Sequence, residues 1–247
     1  MQTVLIAGMG YPGLFLAREF GKRPCNLYCI GRHKNEIGMY SKYGRKYVAS
    51  TGQELREVVE HVAKTHGTRP IALVGSGIYL DFILDEFPEF VQMTDFVGSD
   101  LVTLKKLNSK VDAYEAFRQA GIKVPRSFQL TNVANDMDFP LIVKWSTKMG
   151  YDPLEIAKTT VVDSYAHFEK FAASVKEEHA KELIVQEFIS GTEVVELGYG
   201  AYYDHGTELA RIVFYQKRQY GKGIASCAVE FRHQCILRSE KTTVTEK

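Results

Sequence analysis

Several short clusters of this chain carry side chains able to do chemistry. Lys110 and Lys144 are compact cations on long stems, suited to neutralising concentrated negative charge. Lys144 sits near the end of the apolar run Phe139–Trp145 (FPLIVKW). The segment Ser146-Thr147-Lys148-Met149-Gly150 follows, short, polar and closed by glycine. Farther on, LIVQEFISGTE supplies Gln186, Glu187, Phe188, Ile189, Gly191 and Glu193. Its carboxylates can accept hydrogen bonds from amines and hydroxyls. Lys217, Arg218 and Gly221-Lys222-Gly223 form a basic, glycine-containing stretch. Taken singly, a strand-end lysine is usually solvated and a glutamate before a turn usually lies at the surface. The order of these clusters along the chain carries the signal.

A further motif lies at the N-terminus. Gly8-Met9-Gly10-Tyr11-Pro12-Gly13 fits G-x-G-x-x-G, follows an apolar strand and opens a helix. Such glycines let a backbone approach a phosphate at a helix N-terminus. A dinucleotide site also wants an acid after the second strand, where this chain reads Gly31-Arg32-His33-Lys34. That disfavours NAD. Two readings stay open: Arg32 facing the 2′-phosphate of NADP, or a tight packing turn with no cofactor.

The ordered clusters resemble the ATP-grasp superfamily, in particular its carboxylate–amine ligases, a set that includes D-aspartate ligases. GIKVPRSF is similar to the family's G-[IV]-x-[VI]-P-x-[ST] turn, and SKYGRKYV and HGTRPIALVGSG resemble its preceding domain. The resemblance covers roughly residues 3 to 225. It implies that Lys110 and Lys144 contact ATP phosphates under a lid formed by Ser146–Gly150. It implies that Gln186, Glu187 and the Phe188–Ile189 backbone hold adenine and that Glu193 holds the ribose. Arg218 would then stabilise charge on the transferring phosphoryl group. The implied reaction is ATP-dependent activation of a carboxylate as an acyl-phosphate, which an amine attacks to form an amide. The implied cofactors are ATP and Mg2+. The family's magnesium ligands, a glutamate followed by an E-x-N motif, are not found before Lys247. The chain is therefore expected to be a fragment or split subunit, which a homodimer or a second chain would complete. Two other readings are a non-catalytic nucleotide-binding module and an NADP-dependent oxidoreductase.

The elements that must position these residues can also be read. In the first hundred residues Thr3–Ala7, Leu27–Ile30 and Pro70–Val74 read as buried strands. Gly13–Phe20, Glu54–His66 and Ile78–Phe87 read as helices, the second with Leu55, Val58, Val59 and Val62 on one face. Strand–helix alternation predicts a parallel sheet covered on both faces. A boundary is expected near residues 98–108. Then come a helix Ser109–Ala120 capped by Ser109, strands Phe139–Trp145 and Ile156–Val162, and a helix Tyr165–Glu178. Strands Leu183–Ile189, Val194–Tyr203, Glu208–Gln216 and Ile224–Phe231 follow, antiparallel about the Asp204-His205-Gly206 turn. The fold class is thus α/β: a doubly wound parallel-sheet domain, residues 1–105, then an incomplete ATP-grasp domain, 106–247. The latter divides into a subdomain 106–185 and an antiparallel subdomain 186–247.

Composition bounds the partners. With 31 Lys+Arg against 30 Asp+Glu, net charge is +1, giving no sign of a nucleic-acid or membrane-surface partner. No apolar run approaches the roughly 20 residues of a membrane helix, and TVLIAG lacks the basic flank of a signal peptide, so a cytoplasmic address is expected. Small-molecule carboxylate and amine substrates are the expected partners. Cys25 and Cys29 are read as unbridged thiols. Cys227, His233 and Cys235 match no closed zinc spacing.

Overall fold

The structure is a computed structural model, and it describes residues 1–132, 138–146, 159–189, 197–220 and 224–230. The first element set runs β1 (Gln2–Ala7), α1 (Tyr11–Phe20), β2 (Cys25–Gly31), β3 (Arg45–Val48), α2 (Gly52–His66), β4 (Ile71–Val74), α3 (Gly77–Asp85), α4 (Phe90–Met93), β5 (Asp95–Phe96) and α5 (Leu101–Asn108). A 3-10 turn, Ile37–Tyr40, lies between β2 and β3. The five strands form one parallel sheet in the order β3-β2-β1-β4-β5.

Alternation along the strands builds a core on each face. Leu5, Ala7, Tyr28, Ile30 and Ala72 meet Leu55, Val59 and Val62 of α2 and Phe82 and Ile83 of α3. Val4, Ile6, Leu27 and Cys29 meet Ala17 of α1 on the other side. Each fully buried Leu or Ile contributes roughly 1.5–3 kcal/mol, so this doubly covered sheet holds much of the stability. Helix α2 begins where expected because Thr51 accepts a hydrogen bond from the Glu54 N–H at 3.2 Å. It stops at Gly67, whose φ of 64° is the left-handed conformation glycine adopts without strain.

Three elements differ from the sequence expectation here. Strands β3 and β5 pair on one side only and are four and two residues long, too short to show a period. The stretch expected as a boundary contains helix α5, started by Asp100 accepting from the Thr103 N–H at 2.9 Å. Asn108, its last residue, donates to the buried carboxylate of Asp81 on α3 at 2.6 Å.

The second element set runs α6 (Lys110–Gln119), β6 (Ser127–Gln129), β7 (Leu141–Trp145), β8 (Thr159–Val162), α7 (Tyr165–Ser174), α8 (Glu177–Ala180) and β9 (Leu183–Glu187). Its strands form an antiparallel sheet in the order β6-β9-β7-β8. Leu141, Val143, Trp145, Leu183 and Val185 turn one face toward Phe168, Phe171 and Ala172 of α7. The helix expected over 165–178 is broken, because Val175 takes an extended conformation and packs into this core.

The third set is a meander of β10 (Leu197–Asp204), β11 (Thr207–Tyr220) and β12 (Ile224–Glu230). His205 and Gly206, at φ 46° and 80°, make the turn between β10 and β11. Two positive φ values in succession are what a two-residue hairpin with the right-handed strand twist requires.

Candidate functional site

Strand β7 ends in the residues that matter. On its covered face lie Leu141, Val143 and Trp145, so Ile142 and Lys144 project from the opposite face. The register pairs Ile142 with Gln186 and Lys144 with Ile184, which puts Gln186 on the same face as Lys144. The Lys144 ammonium donates to Gln186 Oε1 at 2.7 Å. Gln186 Nε2 donates to Ser127 Oγ at 3.0 Å, and Ser127 Oγ donates to the Pro125 carbonyl at 3.0 Å. Gln186 is almost wholly buried. The relay therefore fixes which way its amide points and ties β7, β9 and β6 together.

Lys110 arrives from another direction. It is the first residue of α6, and Ser109 caps that helix by accepting from the Asp112 N–H at 3.3 Å. The Lys110 ammonium donates to the carbonyls of Trp145 at 2.7 Å and Ser146 at 3.1 Å. Its own N–H reaches Ser146 O at 3.3 Å. The Lys144 ammonium thus turns to Gln186 on β9, while Lys110 caps the end of β7. Ser146 is buried there, its N–H donating to the Glu182 carbonyl at 2.7 Å and its hydroxyl to the Glu182 carboxylate at 3.4 Å. Gly150 and Glu193 lie outside the described residues.

Glu187 stands at the last position of β9. It pairs with Leu141, so alternation puts its side chain on the α7 face, away from Lys144. The side chain that meets the lysine is Gln186. In LIVQE the apolar run is continuous, and no polar alternation in the sequence reveals its phase. Past the strand, the Glu187 N–H donates to Arg126 O at 3.0 Å and the Phe188 N–H to Pro140 O at 3.3 Å. Ile189 is exposed. Ser127, the relay's third member, stands in the GIKVPRSF segment, but its bonding depends on tertiary pairing that the sequence does not display.

Arg218 sits on β11, exposed, opposite Cys227 and between two register shifts. No strand pairing joins its sheet to the lysine-bearing sheet. Among the described residues, no hydrogen bond or ion pair links Arg218 to Lys110, Lys144 or Gln186.

The glycine turn after β1 is occupied by the protein itself. A Cβ on Gly13 would come within 2.0 Å of Gly8 O, and one on Gly8 within 2.6 Å of Ser76 Cβ. These glycines let β1 pack on α1 and on the turn after β4. The Glu36 carboxylate accepts from the Met9 N–H and the Arg32 N–H, both at 2.8 Å. A carboxylate there repels a phosphate and uses the donors a phosphate would need. The packing reading of the motif is the one the geometry favours, and an NADP site using Gly8–Gly13 and Arg32 is disfavoured.

Cys25, Cys29 and Cys227 are free thiols, and His233 and Cys235 lie outside the described residues. Among the described residues, no group of three or more His, Cys, Asp or Glu is placed to hold a metal ion. No helix among them is long and apolar enough to cross a membrane.

No family model matches the chain, and no curated protein does. Solved structures match its fold. Carboxyaminoimidazole ribonucleotide synthase from Aspergillus clavatus, complexed with ATP, is 13% identical with a TM-score of 0.66, over 88% of this chain and 55% of that one. N5-carboxyaminoimidazole ribonucleotide synthetase in an ADP complex is 15% identical with a TM-score of 0.67, over 88% and 54%. L-amino acid ligase from Bacillus licheniformis is 13% identical with a TM-score of 0.66, over 90% and 52%. The chain spans about half the length of these proteins. At such identities the likeness is one of fold: a parallel-sheet α/β portion followed by an antiparallel α+β portion.

Proposed function

We propose that the Lys144 end of the second sheet binds an adenine nucleotide, and that the chain is part of an ATP-dependent carboxylate–amine ligase. The observation that carries this is the placing of Lys110 at the end of β7 and of Lys144, in that strand, against a buried amide held in one orientation. Two cations from separate elements suit the phosphates, and a fixed amide suits the hydrogen-bonding edge of a base. The solved neighbours, crystallised with ATP or ADP, support the same reading. ATP would supply the phosphoryl group that turns a carboxylate into an acyl-phosphate. The chain's residues would bind it, orient it and exclude water.

Within this reading Lys110 and Lys144 hold phosphates, and Ser146–Gly150 covers them. Gln186, on the same face as Lys144, turns its side chain toward adenine. Glu187 contributes through its backbone, with Phe188 and Ile189, while Glu193 meets the ribose. Arg218 would act on the transferring phosphoryl group only if the hairpin folds over the lysines. Residues 1–105 and 106–247 form the two functional units. Magnesium belongs to the chemistry that this reading implies.

Replacing Lys144 with alanine should abolish nucleotide binding measured by isothermal titration with ATP. Unchanged affinity in a folded variant would overturn the proposal. A parallel assay for ADP release separates a ligase from a module that binds without turnover.

A further inference from the structure

The basic residues of this nearly neutral chain are unevenly placed. Residues 22–46 contain seven Lys and Arg and a single acid, Glu36. Glu36 is engaged by the Met9 and Arg32 N–H groups at the end of the sheet where β1 and β2 finish. At the opposite end, where β2 and β3 begin, a hollow of about 310 Å³ opens to solvent. Arg23, Lys42 and Arg45 line it together with Tyr28, Tyr43 and Cys25, and no carboxylate does.

Three features make this more than a solvated face. The cations come from three separate places: the loop after α1, the loop before β3, and β3 itself. Each rests over an aromatic ring: Arg23 over Phe20 at 5.9 Å, Lys42 over Tyr43 at 5.1 Å and Arg45 over Tyr28 at 5.7 Å. Such contacts restrict the stems without cancelling the charge. Arg45 is further placed by donating to the Tyr28 hydroxyl at 3.2 Å, which also bonds His66 at 2.8 Å.

The neighbouring charges are already committed. Glu19 on α1 is paired with Lys22 at 2.6 Å, and that bond, aided by Arg23, keeps its carboxyl below the ordinary range. Lys46 turns to the carbonyls of Tyr43 and Gly44. Two guanidinium forks and an ammonium, with no carboxylate in the hollow's described lining, suit a multiply charged oxyanion. The volume is at the lower end for a small-molecule site.

We propose that this hollow is a second anion site, distinct from the nucleotide face, for the phosphate groups of a phosphorylated small molecule. The test uses the intact chain and inorganic pyrophosphate, with binding followed by titration calorimetry. The native chain should bind, more weakly as salt rises. R23Q/K42Q, altered only in exposed loops, should bind about tenfold or more weakly, in line with two lost charge-assisted contacts. The K144A variant should bind pyrophosphate here as the native chain does, whatever becomes of its ATP affinity. Absence of binding to the native chain, full binding by a folded R23Q/K42Q variant, or loss of binding in K144A would each overturn the proposal.

Discussion

The five-stranded parallel sheet and the β10-β11-β12 meander are both hydrogen-bonded ladders, yet among the described residues their burial differs sharply. In β1 every residue after Gln2 is buried, and successive residues serve opposite cores. In the meander Leu197, Tyr199, Tyr202, Tyr203, Leu209, Ile212 and Val229 are all exposed, and Val213 is the buried side chain among the described residues. The difference teaches that ladder bonds define a sheet's shape while side-chain burial stabilises it. A net backbone hydrogen bond contributes only about 1 kcal/mol, and a sheet with bare faces lacks the layer that makes one stable.

The sharpest way to break this comparison is a pair of truncations. Phe90 is fully buried and meets Phe87 and Phe96 edge to face at 5.7 and 5.8 Å. Phe90→Ala should cost about 3–5 kcal/mol in urea denaturation. Ile212→Ala in the meander should cost under about 1 kcal/mol. Equal losses would show that the two sheets do not differ as described. Leu141→Ala, in the core of the second sheet, should cost about 2–4 kcal/mol; a value as small as that for Ile212 would contradict the packing of Leu141 against the other buried residues of that core.

Smaller effects sharpen the comparison at the covering helices. Thr51→Ala removes the α2 cap and should cost about 1 kcal/mol; no change would mean the helix needs no cap once it lies on the sheet. The smallest effect concerns acid. The Ser50 N–H, then its hydroxyl, hold the Glu54 carboxyl below its ordinary value. The support Glu54 gives is therefore complete above the unfolded value near 4.5 and fades as pH falls through the lower folded value. The stability gap between the native chain and Glu54→Gln should narrow between about pH 5 and pH 3. A gap that stays constant would contradict the assignment.

How far the sequence could be read follows the same division. Helix α2 was legible because Leu55, Val58, Val59 and Val62 repeat with helical spacing and all find the sheet. Strands β3 and β5 were not, since edge strands of four and two residues carry no period. Asp100 was a readable cap, masked by the lysines that follow it. In the candidate site, Lys144 stood out as the charge near the end of an apolar run. Which of Gln186 and Glu187 shares a face with Lys144 depends on strand phase, which the apolar run Leu183-Ile184-Val185 before them hides. The Glu36 contact spans 27 residues to Met9 and depends on how the turn after β2 folds back.

A strand buried on both sides raises a question of alignment. When one face is wet, sliding the chain by a single residue exposes oily groups, and polarity punishes the error. Strand β1 has no wet face, so Val4-Leu5-Ile6-Ala7 could shift by one place and remain among hydrocarbons. What stops it is Gly8, at φ 99° and with no room for a side chain beside Ser76. Any other residue drawn into that spot would collide. The turn that resembles a cofactor loop thus works as an index mark, telling the strand where to end.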